Sequence, residues 1–181
     1  MAKILIISPS NLNTDPRVYR QIRHLSKNHQ ITEMGLCPSQ IPNVRFVPFI
    51  WAKKNRYDIL LKAIRLITRQ YQNIYWNDLE FDNLVKPIKD ENFDIIYAND
   101  IESLPLAVRL RKNAKILFDS HEYAPKQFED RFWFNFFNGG YINFLCGKYI
   151  PLTDAMITVC LGISDQYYRK FGVKAEVLTN A

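Results

Sequence analysis

Short runs rich in Ile, Val, Leu, Phe and Met recur along this chain with amphipathic helical stretches between them, and that alternation limits the fold more than any other feature. There are seven such runs: Lys3 to Ser8, Gln30 to Gly35, Val44 to Phe49, Asp94 to Ala98, Lys115 to Asp119, Ala155 to Val159 and Ala175 to Leu178. Five carry apolar residues on both alternating faces, which a strand needs when helices cover the sheet on both sides. The pattern predicts an α/β fold, a doubly wound and mostly parallel sheet of about seven strands with helices on both faces, formed as a single domain over residues 1–181.

The helices have readable ends. Asp15-Pro16 places an N-cap carboxylate before a proline at the first helical position, and Val18, Ile22 and Leu25 then share one face. Ser103 or Asp100 can cap the helix that carries Leu106, Val108 and Leu110, and Gly172 is placed to stop a helix from Ile163 to Phe171. Glu129 to Leu152 reads as two helical pieces broken at Gly139-Gly140, and the aromatic run Phe132 to Phe137 is core by default, with an acceptor groove or a membrane contact as the alternatives.

Composition narrows the function classes. At 48% hydrophobic residues the chain is globular, and no window holds the apolar run of about eighteen residues that a membrane span requires. The start Ile4 to Ile7 is too short for a signal-peptide core, so a cytoplasmic location is expected. Cys37, Cys146 and Cys160 are widely separated and lack metal-ligand spacing, so buried reduced thiols are expected and no metal site.

All six glycines lie at or after Gly35, which leaves no phosphate-binding glycine loop behind the first strand. In an open parallel sheet ligands bind beyond the carboxyl ends of the strands, and four segments there are polar: Ser8 to Asp15, Asn99 to Glu102, Ser120 to Glu122 and Cys160 to Ser164. His121 is the one histidine among them and can exchange a proton near neutral pH, or simply satisfy loop backbone groups. Asp119 is read as tying down its own loop, and Glu122 as serving either that purpose or chemistry. Asp100 and Glu102 have the spacing of an acidic pair, with helix capping as the alternative for Asp100. Arg17 can bind a phosphate or carboxylate, or form a surface ion pair.

Five of the six net positive charges fall within residues 51–71, where six basic residues face Asp58 alone. At helical spacing Tyr57, Leu60, Leu61, Ile64, Ile67 and Tyr71 form one face, read as core packing, beside a stripe of Lys62, Arg65 and Arg69. With Ile59, Leu66 and Trp51 nearby, the stripe suits an anionic membrane surface, and a solvated basic face is the alternative. A nucleic-acid reading through the stripe and Tyr71, Tyr75 and Trp76 is the third.

These residues resemble a family. The stretches Asp15-Pro16-Arg17-Val18, Asp94 to Asp100 followed by Leu104-Pro105, Leu117 to Glu122, and Asp154 to Val159 ending in Asn180 are similar to the N-terminal half of GT-B glycosyltransferases of family four, in order from Lys3 to Ala181. The resemblance implies one Rossmann-like half of a GT-B fold and a retaining transfer from a nucleotide-sugar donor, the substrate, to a polysaccharide, oligosaccharide or lipid-linked acceptor. It implies His121 at the donor sugar and as the catalytic residue, with Asn11, Asp15, Arg17, Asn99, Asp100, Ser120 and Glu122 lining the cleft. No cofactor, metal or nucleic acid is implied. The partners would be the sugar or lipid-linked acceptor, an anionic membrane surface, and a C-terminal donor-binding domain that this chain lacks, so that the domain alone turns over little or nothing. The family's histidines in the fourth-strand motif are replaced here by Tyr97 and Asn99, and its glycines behind the first strand by Ser and Asn. Against this reading stands a flavodoxin-like or regulatory binding module.

Overall fold

The computed structural model describes residues 1–126 and 132–179, the side chains of 132–138 excepted. Its strands are β1 (Lys3–Ile7), β2 (Gln30–Gly35), β3 (Arg45–Pro48), β4 (Ile95–Asn99), β5 (Lys115–Ser120), β6 (Ala155–Thr158) and β7 (Glu176–Val177). Each expected strand is present to within one residue at either end. They form one sheet in the order β3-β2-β1-β4-β5-β6-β7, parallel throughout. The chain winds outward from β1 to β3, then returns to place β4 on the other side of β1, which puts the switch point between β1 and β4.

The helices are α1 (Pro16–Leu25), α2 (Arg56–Ile67), α3 (Tyr71–Asn77), α4 (Phe81–Val85), α5 (Leu104–Leu110), α6 (Phe132–Tyr149) and α7 (Leu161–Phe171). Alternate residues of the central strands bury on opposite faces. Ile4, Ile6, Ile31 and Tyr97 meet Val18 and Ile22 of α1, while Leu5, Ile7, Met34, Ile96, Ala98 and Phe118 meet α3 through α7. The continuous apolar runs therefore have the expected cause: both faces of the sheet are covered. Asp15 caps α1 by accepting from the Val18 amide at 3.2 Å, and Gly172 ends α7 with a left-handed φ of 74°.

Three local expectations are corrected. Helix α6 runs unbroken through Gly139-Gly140, because a glycine costs a helix only about 1 kcal/mol. A Cβ at position 140 would strike the Tyr71 hydroxyl, so the glycine admits α3 against α6. The side chains of the Phe132 to Phe137 run, and the residues before it from Glu129, lie outside those described. Neither Ser103 nor Asp100 caps α5 with its side chain; the Ser103 hydroxyl instead donates to the Asp100 carbonyl at 2.8 Å. Only Cys146 of the three cysteines is buried, Cys37 and Cys160 being exposed.

The largest correction concerns α2. Its capping box is complete, with Asn55 and Asp58 exchanging side-chain and backbone bonds, yet none of its residues is buried. Tyr57, Ile59, Leu60, Ile64 and Ile67 are exposed. The sheet face is already covered by α3 to α6, so α2 lies outside that layer, resting on α3 and α6. Tyr71 does not belong to its apolar face, because Arg69 turns left-handed at φ 57° and starts a separate helix.

Candidate functional site

Behind β1 the chain makes a compact polar turn. The Asn11 side chain accepts from the Asn13 amide at 3.1 Å and its carbonyl from the Thr14 and Asp15 amides, which shapes the loop rather than aiming Asn11 at a ligand. Asp15 both caps α1 and accepts from the Ser10 hydroxyl at 2.9 Å, and Ser10 in turn meets Ser8. These contacts hold the loop beside the carboxyl end of β4. A glycine-free loop keeps its shape here through hydroxyl and carboxylate bonds.

The centre of the site is Asp119, at the end of β5 and fully shielded from solvent. Arg17 grips both its oxygens, with Nε at 3.0 Å from Oδ2; Gln21 donates to Oδ2 at 2.7 Å and the Tyr97 hydroxyl at 3.3 Å. Asp119 was expected to tie down its own loop through backbone amides. Its side chain instead joins α1, β4 and β5, because Arg17 and Gln21 are four apart on α1 and reach the same point. The guanidinium of Arg17 is thereby engaged inside the protein. Burial, and then the Asp119 charge, raise the Tyr97 hydroxyl far above its ordinary range, so it remains a donor at any physiological pH.

His121 sits over this centre with its side chain 22% exposed. Its Nε2 is buried and points toward Asp119 Oδ2 at 3.8 Å, and its Nδ1 toward Asp100 Oδ2 at 3.9 Å. Both separations exceed a hydrogen bond, for which about 2.9 Å is usual. The ring thus stands between two carboxylates without being locked to either. Asp100 itself adopts a left-handed φ of 61°, fixed by its amide donating to the Asp119 carbonyl at 2.9 Å. Removal from water raises its carboxyl above the ordinary value, while the neighbouring His121 pulls it back down. Asn99, buried between β1 and β4, keeps an unpartnered Oδ1 at the same edge.

Ser120 and Glu122 behave differently. The Ser120 hydroxyl bonds the Tyr167 hydroxyl at 2.7 Å and the Glu122 carbonyl at 2.8 Å, tethering the loop behind β5 to α7. The Glu122 carboxylate is exposed at the mouth. Lys62, Arg65 and Arg69 belong to α2 and the turn after it, outside this cluster; Lys62 shares Asp78 with Lys54 at 2.7 Å each, whereas no ion pair holds Arg65 or Arg69 among the described residues. The structure thus brings Asn99, Asp100 and His121 together, places Arg17 beneath them, and leaves the basic stripe apart. Gln21 and Tyr97 are the participants that sequence reasoning missed, and the i to i+4 spacing from Arg17 was the signal for Gln21.

No family model matches the sequence, and no curated protein does. Solved structures do match. Sucrose-phosphate synthase from Thermosynechococcus elongatus superposes with a TM-score of 0.58 at 11% identity, over 99% of this chain and 48% of that one. The fold is that of one half of a GT-B glycosyltransferase. A second structure of the same synthase aligns with a TM-score of 0.53 at 13% identity, over 99% of this chain and 89% of that one. The Streptomyces glycosyltransferase SsfS6 aligns with a TM-score of 0.50 at 12% identity, over 88% of this chain and 51% of that one. The chain spans about half the length of the synthase and of SsfS6. In the GT-B half, the edge that carries His121, Asp100 and Asn99 is the carboxyl edge at the sheet's switch point. Among the described residues no helix is long and apolar enough to cross a membrane.

Proposed function

We propose that this chain is the acceptor-side half of a retaining glycosyltransferase that takes sugar from a nucleotide-sugar donor, with a second, donor-binding domain facing its carboxyl sheet edge. The observation that carries the reading is His121, poised at the switch-point edge between buried Asp119 and half-open Asp100. Nε2 is buried toward Asp119, and Nδ1, on the Asp100 side, is the nitrogen that a sugar hydroxyl would meet. Arg17 offsets the charge of Asp119, so the carboxylate beneath the ring is itself paired. The GT-B fold and its glycosyltransferase neighbours support the same reaction class.

In the transfer, the bond from the sugar's anomeric carbon to the diphosphate breaks, the acceptor oxygen bonds to that carbon on the same face, and the acceptor's proton passes to the departing phosphate oxygen. The half-site described here orients rather than ionises the reactants. Asp100 accepts from sugar or acceptor hydroxyls, while Asn99 is buried next to it in the chain and Glu122 is exposed. The reading has the reaction in the cytoplasm at an anionic membrane surface, met by the exposed apolar side of α2 and by Arg69; Lys62, paired with Asp78, and Arg65, half-buried beside it, contribute less than the sequence suggested. The test is release of free nucleotide from a panel of sugar nucleotides by the complete reading frame, with product anomer assigned by NMR. Consumption of one donor with retained configuration supports the proposal; consumption of none, or inversion, refutes it.

A further inference from the structure

A hollow of about 660 Å³ opens between α2, α3 and α6. That volume is within the usual range for a small-molecule site. Most of its wall is apolar, from Trp51, Ile59, Tyr75, Tyr141 and Ile142, and five charged side chains, Glu102 among them, complete it. The smaller recess at the switch-point edge, about 250 Å³, is bounded by Ser8, Ser10 and Asp100, and shares Trp51 and Glu102 with the hollow. Trp51 and Glu102 are therefore the partition between an apolar chamber and the polar edge where His121 stands, and Asp100 is the residue common to His121 and the recess.

The chamber is built rather than incidental. Tyr75 is almost wholly buried, and its hydroxyl donates to the Glu102 carbonyl at 2.7 Å, which fixes the Glu102 backbone against α3. Trp51 is held by Phe49 at a ring separation of 4.9 Å and by a bridge to Leu79. The charged groups that also line it are tied to the fold, Lys54 and Lys62 to Asp78 at 2.7 Å each and Asp58 to the capping box of α2. Burial raises the Glu102 carboxyl above its ordinary value, as suits a group facing an apolar space.

From this arrangement we infer that the acceptor is an alcohol carried on an apolar chain or ring system, its apolar body seated in the chamber and its hydroxyl passing Glu102 and Trp51 to reach the His121 edge. Glu102 accepts a hydrogen bond from that hydroxyl and is a specificity-determining residue. The inference rests on the glycosyl-transfer reading for its purpose and on the chamber alone for its ligand. A polar saccharide acceptor would set its hydroxyls against Ile59 and Ile142, which offer no hydrogen bond, and this disfavours it.

Binding to the purified chain tests this without any donor. The probe is N-phenyl-1-naphthylamine, whose fluorescence rises in apolar sites, competed by 1-octanol, by glucose, and by phosphatidylglycerol vesicles with or without dodecanol. Ile59 is 63% exposed at the rim and Ile67 is 71% exposed outside the chamber, so Glu at either position leaves the core untouched. We expect saturable probe binding, displaced by 1-octanol or by dodecanol vesicles but not by glucose. Ile59→Glu and the chamber-filling Ile142→Trp should weaken it about tenfold or more, and Ile67→Glu should leave it unchanged. Displacement by free 1-octanol assigns a freely diffusing acceptor, and displacement only by dodecanol vesicles assigns a membrane-borne one. Absence of saturable binding, displacement by glucose, or equal loss in Ile67→Glu overturns the inference. If the complete enzyme glycosylates sugars as readily as alkanols, the chamber assignment fails while the transferase reading stands. If the chamber binds alkanol and no donor is consumed, the reverse holds.

Discussion

Asp119 shows how a single residue can be both keystone and accessory to chemistry. A fully buried carboxylate is tolerable only because Arg17, Gln21 and Tyr97 surround it, and removing it would take from the buried Arg17 guanidinium the carboxylate that balances its charge. Asp119→Ala should therefore cost about 3–5 kcal/mol of stability, read as a lowered Tm and denaturation midpoint, whatever its effect on activity. Asp154 is the counterpart on the opposite edge of the sheet. It accepts from the Ile116 amide at 2.9 Å and pairs with Lys115 and Arg111, and these contacts, the Ile116 bond first, hold its carboxyl below the ordinary value. A depressed carboxylate stabilises the fold above its unfolded-state pKa and loses that contribution as pH falls through the folded one. The stability gap between the protein and Asp154→Asn should thus be full at neutral pH and shrink as the medium is acidified below about pH 4.

At the scale of elements, the loop behind β1 is positioned by packing as much as by its hydrogen bonds. A Cβ on Gly35 would lie 2.5 Å from Leu12 Cγ, and Leu12 is completely buried, so β2 and this loop touch only because residue 35 has no side chain. Gly35→Ala should destabilise the protein by about 1–3 kcal/mol in denaturant titration and shift the loop that carries Ser8 and Ser10. Helix α2 shows the converse. Its sequence is amphipathic enough to suggest core, but a helix buries its apolar face only if sheet or helix surface is left to receive it. Here α3 to α6 have taken that surface, so Tyr57, Leu60, Ile64 and Ile67 face solvent, and α2 turns Asp58, Ile59 and Lys62 over a chamber.

For the whole molecule, the strands and their direction were legible because burial on both sheet faces leaves a continuous apolar imprint, as in Ile4 to Ile7 with its alternate residues in two separate core clusters. The location of the site was legible too, since Asn99, Asp100 and His121 follow strands that the topology sets side by side. What the sequence could not carry was contact across long separations. Nothing local announces that Arg17 and Asp119, 102 residues apart, form an ion pair, or that Glu102 and Trp51 share a wall between two cavities. Gly139-Gly140 misled for a similar reason, because a glycine that admits Tyr71 is indistinguishable in sequence from one that ends a helix.

The most direct test of the account is the effect of His121→Ala on kcat/KM for nucleotide release by the complete reading frame, measured beside its Tm. The side chain makes no hydrogen bond that the fold depends on, so Tm should hold while kcat/KM falls about a hundredfold or more. Activity retained to within a few fold at unchanged Tm would contradict the assignment of this sheet edge as the site of sugar transfer.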